Sequence, residues 1–152
     1  MKTNILLFFA TCVILSACDD KQGPVLAPET IFEEPGLHVI TSFSNKKSGT
    51  ISTLYGNELA LNAAMSNGKN HIPGEVFKLV TWDLNANPHW FGGEINGAIR
   101  AVETVKVMPL KNNSISVNYE IEKNNRTVLE KYISDKEERI NFIFDQKASV
   151  FP

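Results

Sequence analysis

Cysteine is almost absent: Cys12 and Cys18 are the only two in 152 residues, and both lie near the amino terminus. A disulfide framework for the rest of the chain is thereby excluded, as is a thiol nucleophile beyond residue 18. Long apolar runs are missing too. The longest, Ile5 to Leu15, has about 11 residues where a membrane-spanning helix needs about 20. No excess of one charge stands out, with 15 basic and 17 acidic side chains and a net charge of −2. Nucleic acid as a partner requires a basic face, and the only adjacent basic pair is Lys46-Lys47, which reads as a solvated turn. Histidine is scarce: His38, His71 and His89 sit in unlike contexts, with no spacing that places two on one helical face, so no metal motif is legible. A Gly-x-Ser-x-Gly elbow is missing, and Gly92-Gly93 with Gly97 lacks the basic residue and frame of a phosphate loop.

What is present begins with an address. Met1-Lys2, the apolar stretch to Leu15 and the box Leu15-Ser16-Ala17-Cys18 have the layout of a bacterial lipoprotein signal peptide, with processing expected before Cys18. Residues 1–17 are then the signal, and Cys18 is the expected lipidation site. Diacylglyceryl and amino-terminal acyl chains on Cys18 supply more than the two signals that stable anchoring takes, so a lipid bilayer is the expected partner. Asp19-Asp20 favours retention on the periplasmic face of the inner membrane, although other lineages read such acids as export to the outer membrane or cell surface. Pro24, Pro28 and Pro35 among several acids mark residues 18–36 as a lipidated extended tether. Residues 37–152 have the size of one domain.

Within that domain, Leu37–Phe43 and Thr50–Tyr55 read as strands joined by the turn at Asn45–Gly49. Asn57 caps a helix expected from Glu58 to about residue 67, with Gly68 as its stop. A turn at His71–Gly74 leads into a strand over Glu75–Asp83, which Asn85–Pro88 breaks. Gly92-Gly93 suggests a bulge or close backbone approach, and Val102, Val105 and Val107 mark a strand ended by Pro109. Ser114–Glu122 alternates cleanly through Ile115, Val117, Tyr119 and Ile121. Asn124-Asn125 predicts a turn into a strand over Arg126–Tyr132, and Ser134 with Glu137 a capping box for a last helix burying Ile140, Ile143, Phe144 and Ala148. The fold class is α+β: an antiparallel β-sheet flanked by an early and a C-terminal helix.

Candidate chemistry concentrates around the aromatics. His89 lies between Pro88 and Trp90-Phe91, so Trp82, His89, Trp90 and Phe91 form the candidate pocket, with simple packing as the competing account. Asp83, Glu94 and Glu103 show no convergent spacing, and no catalytic residue is assigned.

Thr53-Leu54-Tyr55-Gly56-Asn57 with Ala60 and Ala63-Ala64, the turn Pro73-Gly74-Glu75-Val76 and the strand ending at Trp82 resemble the cytochrome P-460 domain. So do His89-Trp90-Phe91-Gly92-Gly93, Val102-Glu103 and the ending from Gln146 to Pro152, in a short lipoprotein subset. The resemblance covers about residues 37–152 and implies an antiparallel sheet flanked by helices. It also implies a Cys-x-x-Cys-His haem attachment near the carboxyl end, but residues 134–152 hold neither cysteine nor histidine, which excludes covalent c-type haem. Relatives tether haem through a sheet lysine, for which Lys78 is the nearest match and a solvent-facing strand lysine the alternative. Two functional expectations follow: a haem-free binding or accessory module of the cell envelope, serving a small molecule or an envelope protein, or a non-covalent haem protein with His89 as axial ligand. Enzymatic activity, if any, would be that of an oxidoreductase.

Overall fold

The computed structural model describes residues 26–66, 70–123 and 136–149. The expected strand over 126–132, its turn and the Ser134 capping box, like Cys18, lie outside these residues. Five strands form one antiparallel meander in the order of the chain: β1 (His38–Asn45), β2 (Thr50–Gly56), β3 (Val76–Ala86), β4 (Glu94–Pro109) and β5 (Ile115–Lys123). Helix α1 (Glu58–Met65) follows β2, and helix α2 (Lys136–Phe144) follows β5. The architecture is the α+β arrangement of an antiparallel sheet with two helices. Among the described residues no helix is long and apolar enough to cross a membrane.

The alternation of side chains across each strand gives the sheet two faces. On one, Leu54, Phe77, Leu79 and Val105 meet Ala60 and Ala64 of α1 and Ile143 of α2, with Ile40 of β1 completing the buried cluster. Helix α1 starts where Asn57 accepts from the Ala60 amide at 3.1 Å and the Val76 amide at 3.2 Å, and donates to the Gly74 carbonyl at 2.7 Å. The cap thus fastens the helix to the start of β3. Gly56 makes the close approach possible: a Cβ there would stand 2.6 Å from Ile40 Cδ1 and 2.8 Å from Ala60 Cβ. Beyond α2 the chain returns along β1, where Ser149 donates to the Ile40 carbonyl at 2.8 Å.

The other face carries Thr53 and Tyr55 opposite Val80 and Lys78, with Trp82 further along β3. The extended segment before β1 crosses it as a strap. Thr30 donates to the Asn96 carbonyl at 2.9 Å, the Phe32 ring lies 5.2 Å from that of Tyr55, and Glu34 pairs with Lys78. Residues 30–34, read from composition as tether, are therefore part of the folded body. Lys78 is not a solvent-facing lysine, since its side chain is only 17% exposed between Glu34 and the Phe32 ring.

Strand β4 is one 16-residue element, so the glycine pair marks a turn ahead of it and not a bulge within a strand. Strand β3 runs three residues past its expected end. Both project as a hairpin beyond the β1–β2 turn, because Thr50 pairs with Asp83 while Ala86 pairs with Glu94.

Candidate functional site

A cavity of about 500 Å³ opens on the helix-bearing face, between the β1–β2 turn, the middle of the sheet and α2. Its floor is polar. Ser52 and Thr81, opposite each other on β2 and β3, share a hydrogen bond of 2.9 Å, and Ser48 and Thr50 share one of 2.7 Å. One wall is aromatic, with Phe43 and Phe142 edge-on at 5.7 Å between ring centres. Arg100 stands at one side, held by Asp83 and donating to the Ser48 carbonyl at 3.2 Å.

The opposite side is a buried charge cluster. Glu103 is 1% exposed, on the core face of β4, where burial of a carboxylate requires partners. Arg139 of α2 supplies a two-pronged contact: Nε donates to Oε1 at 2.8 Å, and Nη2 pairs with Oε2. Tyr119, opposite Val105 on β5, donates its hydroxyl to the same Oε1 at 2.7 Å. Burial raises the Tyr119 pKa strongly, and the hydrogen bond and charge of Glu103 raise it further against the opposing effect of Arg139. Burial opposes the Arg139 charge, but the hydrogen bond and charge of Glu103 leave its pKa raised. The cluster thus holds a neutral phenol and a fixed guanidinium beside the cavity.

The Tyr119 shift has a measurable consequence. A phenol with a pKa raised by folding stabilises the native state fully below its unfolded value, about 10, and that contribution is lost as pH rises through the folded value. Stability measured by urea unfolding is expected to fall above about pH 10, and more shallowly in Tyr119→Phe. Identical alkaline slopes in the two proteins would show that folding does not raise the Tyr119 pKa.

The four residues of the candidate pocket are not brought together. Trp82 is fully buried within the sheet, and its indole Nε1 has no hydrogen-bond partner among the described residues. Trp90 is 74% exposed and Phe91 fully so, both at the tip of the β3–β4 hairpin. His89 is exposed in the same turn, its amide held by Asn87 Oδ1 at 2.9 Å. The pairing Asn87-Pro88 with Gly92 at φ +77° is the local signal of that turn. None of the four lines the cavity.

None of the three histidines lines the cavity. The cavity lining contains no histidine, methionine or cysteine, and His89 has no enclosing wall. His71 is committed elsewhere, at 2.6 Å from buried Glu75 and stacked on Phe144 at 3.7 Å. His38 is exposed beside Glu58 at 3.2 Å. No group of three or more His, Cys, Asp or Glu side chains able to hold a metal occurs among the described residues. Sequence reasoning missed Arg100, Tyr119 and Arg139, and found no role for Glu103. No protein-family model matches the chain, and no curated protein matches it.

Proposed function

We propose that the chain is a lipid-anchored binding module of the bacterial cell envelope, with a haem-free, cytochrome P-460-like domain held to a membrane by acylated Cys18. Its ligand is a small, partly apolar anion bound in the cavity above Ser52 and Thr81. The observation that carries this reading is the cavity lining, which sets three cations, Lys46, Arg100 and Arg139, against one carboxylate, Glu103. Asp83 and Glu94 pair with Arg100 and Lys46 from outside the lining and balance the remaining formal charge, so an anion would be met by guanidinium N–H donors and not by a net positive charge. Arg100 and Arg139 are held by carboxylates in fixed directions, which lowers the cost of ordering them on binding. Phe43, Leu79 and Phe142 suit the apolar part of the ligand, and the hydroxyls its polar edge. Binding is favoured over catalysis because the floor hydroxyls are bonded to one another and no histidine or thiol in the lining serves as their base. The acids after Cys18 favour the periplasmic face of the inner membrane, with the outer membrane or surface as the other placement.

The test is a panel of small aliphatic and aromatic carboxylates followed by amide chemical shifts. Binding is expected to move signals from residues 43–52 and 79–81, and Arg100→Gln to weaken it. Loss of one hydrogen bond to a charged group costs about 1.5–3 kcal/mol, or about ten- to a hundredfold in Kd. Shifts confined to other regions, or none across the panel, would sink the cavity as the binding site. Mass measurement of the protein from its host membranes tests acylation separately.

A further inference from the structure

Trp90 and Phe91 are two large apolar side chains placed side by side in water, at the outermost point of a rigid hairpin. The turn beneath them is well built: the Asn87 amide donates to the Gly93 carbonyl at 2.9 Å and the Gly93 amide to the Trp90 carbonyl at 3.0 Å. The exposure is thus a consequence of the turn geometry. Three further features gather at this end of the sheet. The β1–β2 turn presents exposed Lys46 and Lys47, the first at 3.5 Å from Glu94 at the hairpin base. The cavity lining includes Asn45 and Lys46 of the same turn. The strap also reaches this end, because Thr30 bonds to Asn96, two residues into β4, while the strap's other end joins β1 at the far edge.

We propose that the Trp90-Phe91 tip inserts into the interfacial layer of the bilayer to which the chain is anchored, with the Lys46-Lys47 turn against anionic headgroups. The proposal rests on acylation of Cys18. Eleven residues lie between Cys18 and Thr30, a reach of at most about 40 Å. The tether therefore leaves the body on the side of the tip and is too short to let it wander far from the membrane. A connection this short holds its two ends at an effective concentration in the millimolar range, so weak partitioning by two aromatic residues suffices. Tryptophan favours the headgroup level, where its ring is buried and its N–H stays wet, and Phe91 reaches the acyl boundary beyond it. Lysines beside an anionic leaflet add attraction that salt screens. A protein partner on the same tip would lack any reason for the strap to end there.

Only two tryptophans are present, and buried Trp82 serves as an internal reference. The acylated protein is placed in phosphatidylethanolamine–phosphatidylglycerol vesicles with bromine on shallow acyl carbons. Trp90 emission is expected to shift to the blue and to be quenched, whereas Trp90→Phe leaves an emission that bromine does not change. In a second arm, a Cys18→Ser chain is held by an amino-terminal histidine tag on vesicles containing a nickel-chelating lipid. Quenching of Trp90 there, with unacylated Cys18 in the native protein, would remove the anchor reading and keep the membrane contact of the tip. Trp90 emission that stays red and unquenched in both arms overturns the proposal. So does protection of Trp90 from acrylamide in the absence of lipid, which would assign the tip to a protein or to a second copy.

Discussion

Arg139→Ala is expected to lower the unfolding free energy by about 3–5 kcal/mol, the range found when one partner of a buried ion pair is removed. The cost comes from what remains. Among the described residues Glu103 would keep the Tyr119 hydroxyl as its partner, in a site where it is 1% exposed. Arg139 also lies over the Phe142 ring at 5.0 Å, so truncation removes packing from the wall of the cavity as well as charge. Denaturant midpoints at neutral pH measure the effect, and the double variant Glu103→Leu with Arg139→Met separates its causes. Replacing both charges by apolar groups of similar volume is commonly neutral or stabilising, so the double variant should recover most of the loss. A single-variant loss below about 1 kcal/mol would place the pair among surface ion pairs, contrary to its burial.

Trp82→Ala is expected to cost a similar amount, about 3–5 kcal/mol, through lost apolar burial and the void left behind. Trp82→Phe is the informative companion. The indole N–H is buried without a partner among the described residues, and an unpaired buried donor carries a penalty of about 1–3 kcal/mol that phenylalanine does not incur. The smaller ring leaves part of the volume empty, which works the other way. The two terms are of similar size, so Trp82→Phe should unfold within about 1 kcal/mol of the parent. A loss close to that of the alanine variant would show that Trp82 Nε1 is hydrogen-bonded in solution.

The local elements were legible because their signals are local. Ile115, Val117, Tyr119 and Ile121 alternate along β5, and Asn57 sits where α1 begins, with its side chain on the Ala60 amide. Ile143 is buried in α2 as its spacing predicts, and Ala148 packs against the same core from beyond the helix end. The cavity was not legible. Glu103 and Arg139 are 36 residues apart, on elements whose pairing no periodicity announces, and each alone reads as a surface charge. Aromatic clustering around His89 suggested a wall, whereas Asn87, Pro88 and Gly92 specify a turn that turns those rings outward. The strap was hidden by composition: prolines and acids suggest open chain, and only Phe32 and Glu34 finding Tyr55 and Lys78 make it adhere.

That strap also decides how the domain carries force. A pull on the chain ahead of the strap reaches Thr30 at the hairpin end and then travels along the sheet face to Glu34 before it can reach β1. The direction is nearly parallel to the strands, so the contacts at Thr30, Phe32 and Glu34 are loaded together in shear and not peeled one at a time. β1 enters the sheet from the opposite end, sheltered behind them. The short ordered piece ahead of the first strand acts as a strain relief, taking tension from the amino-terminal side before it can unzip the sheet.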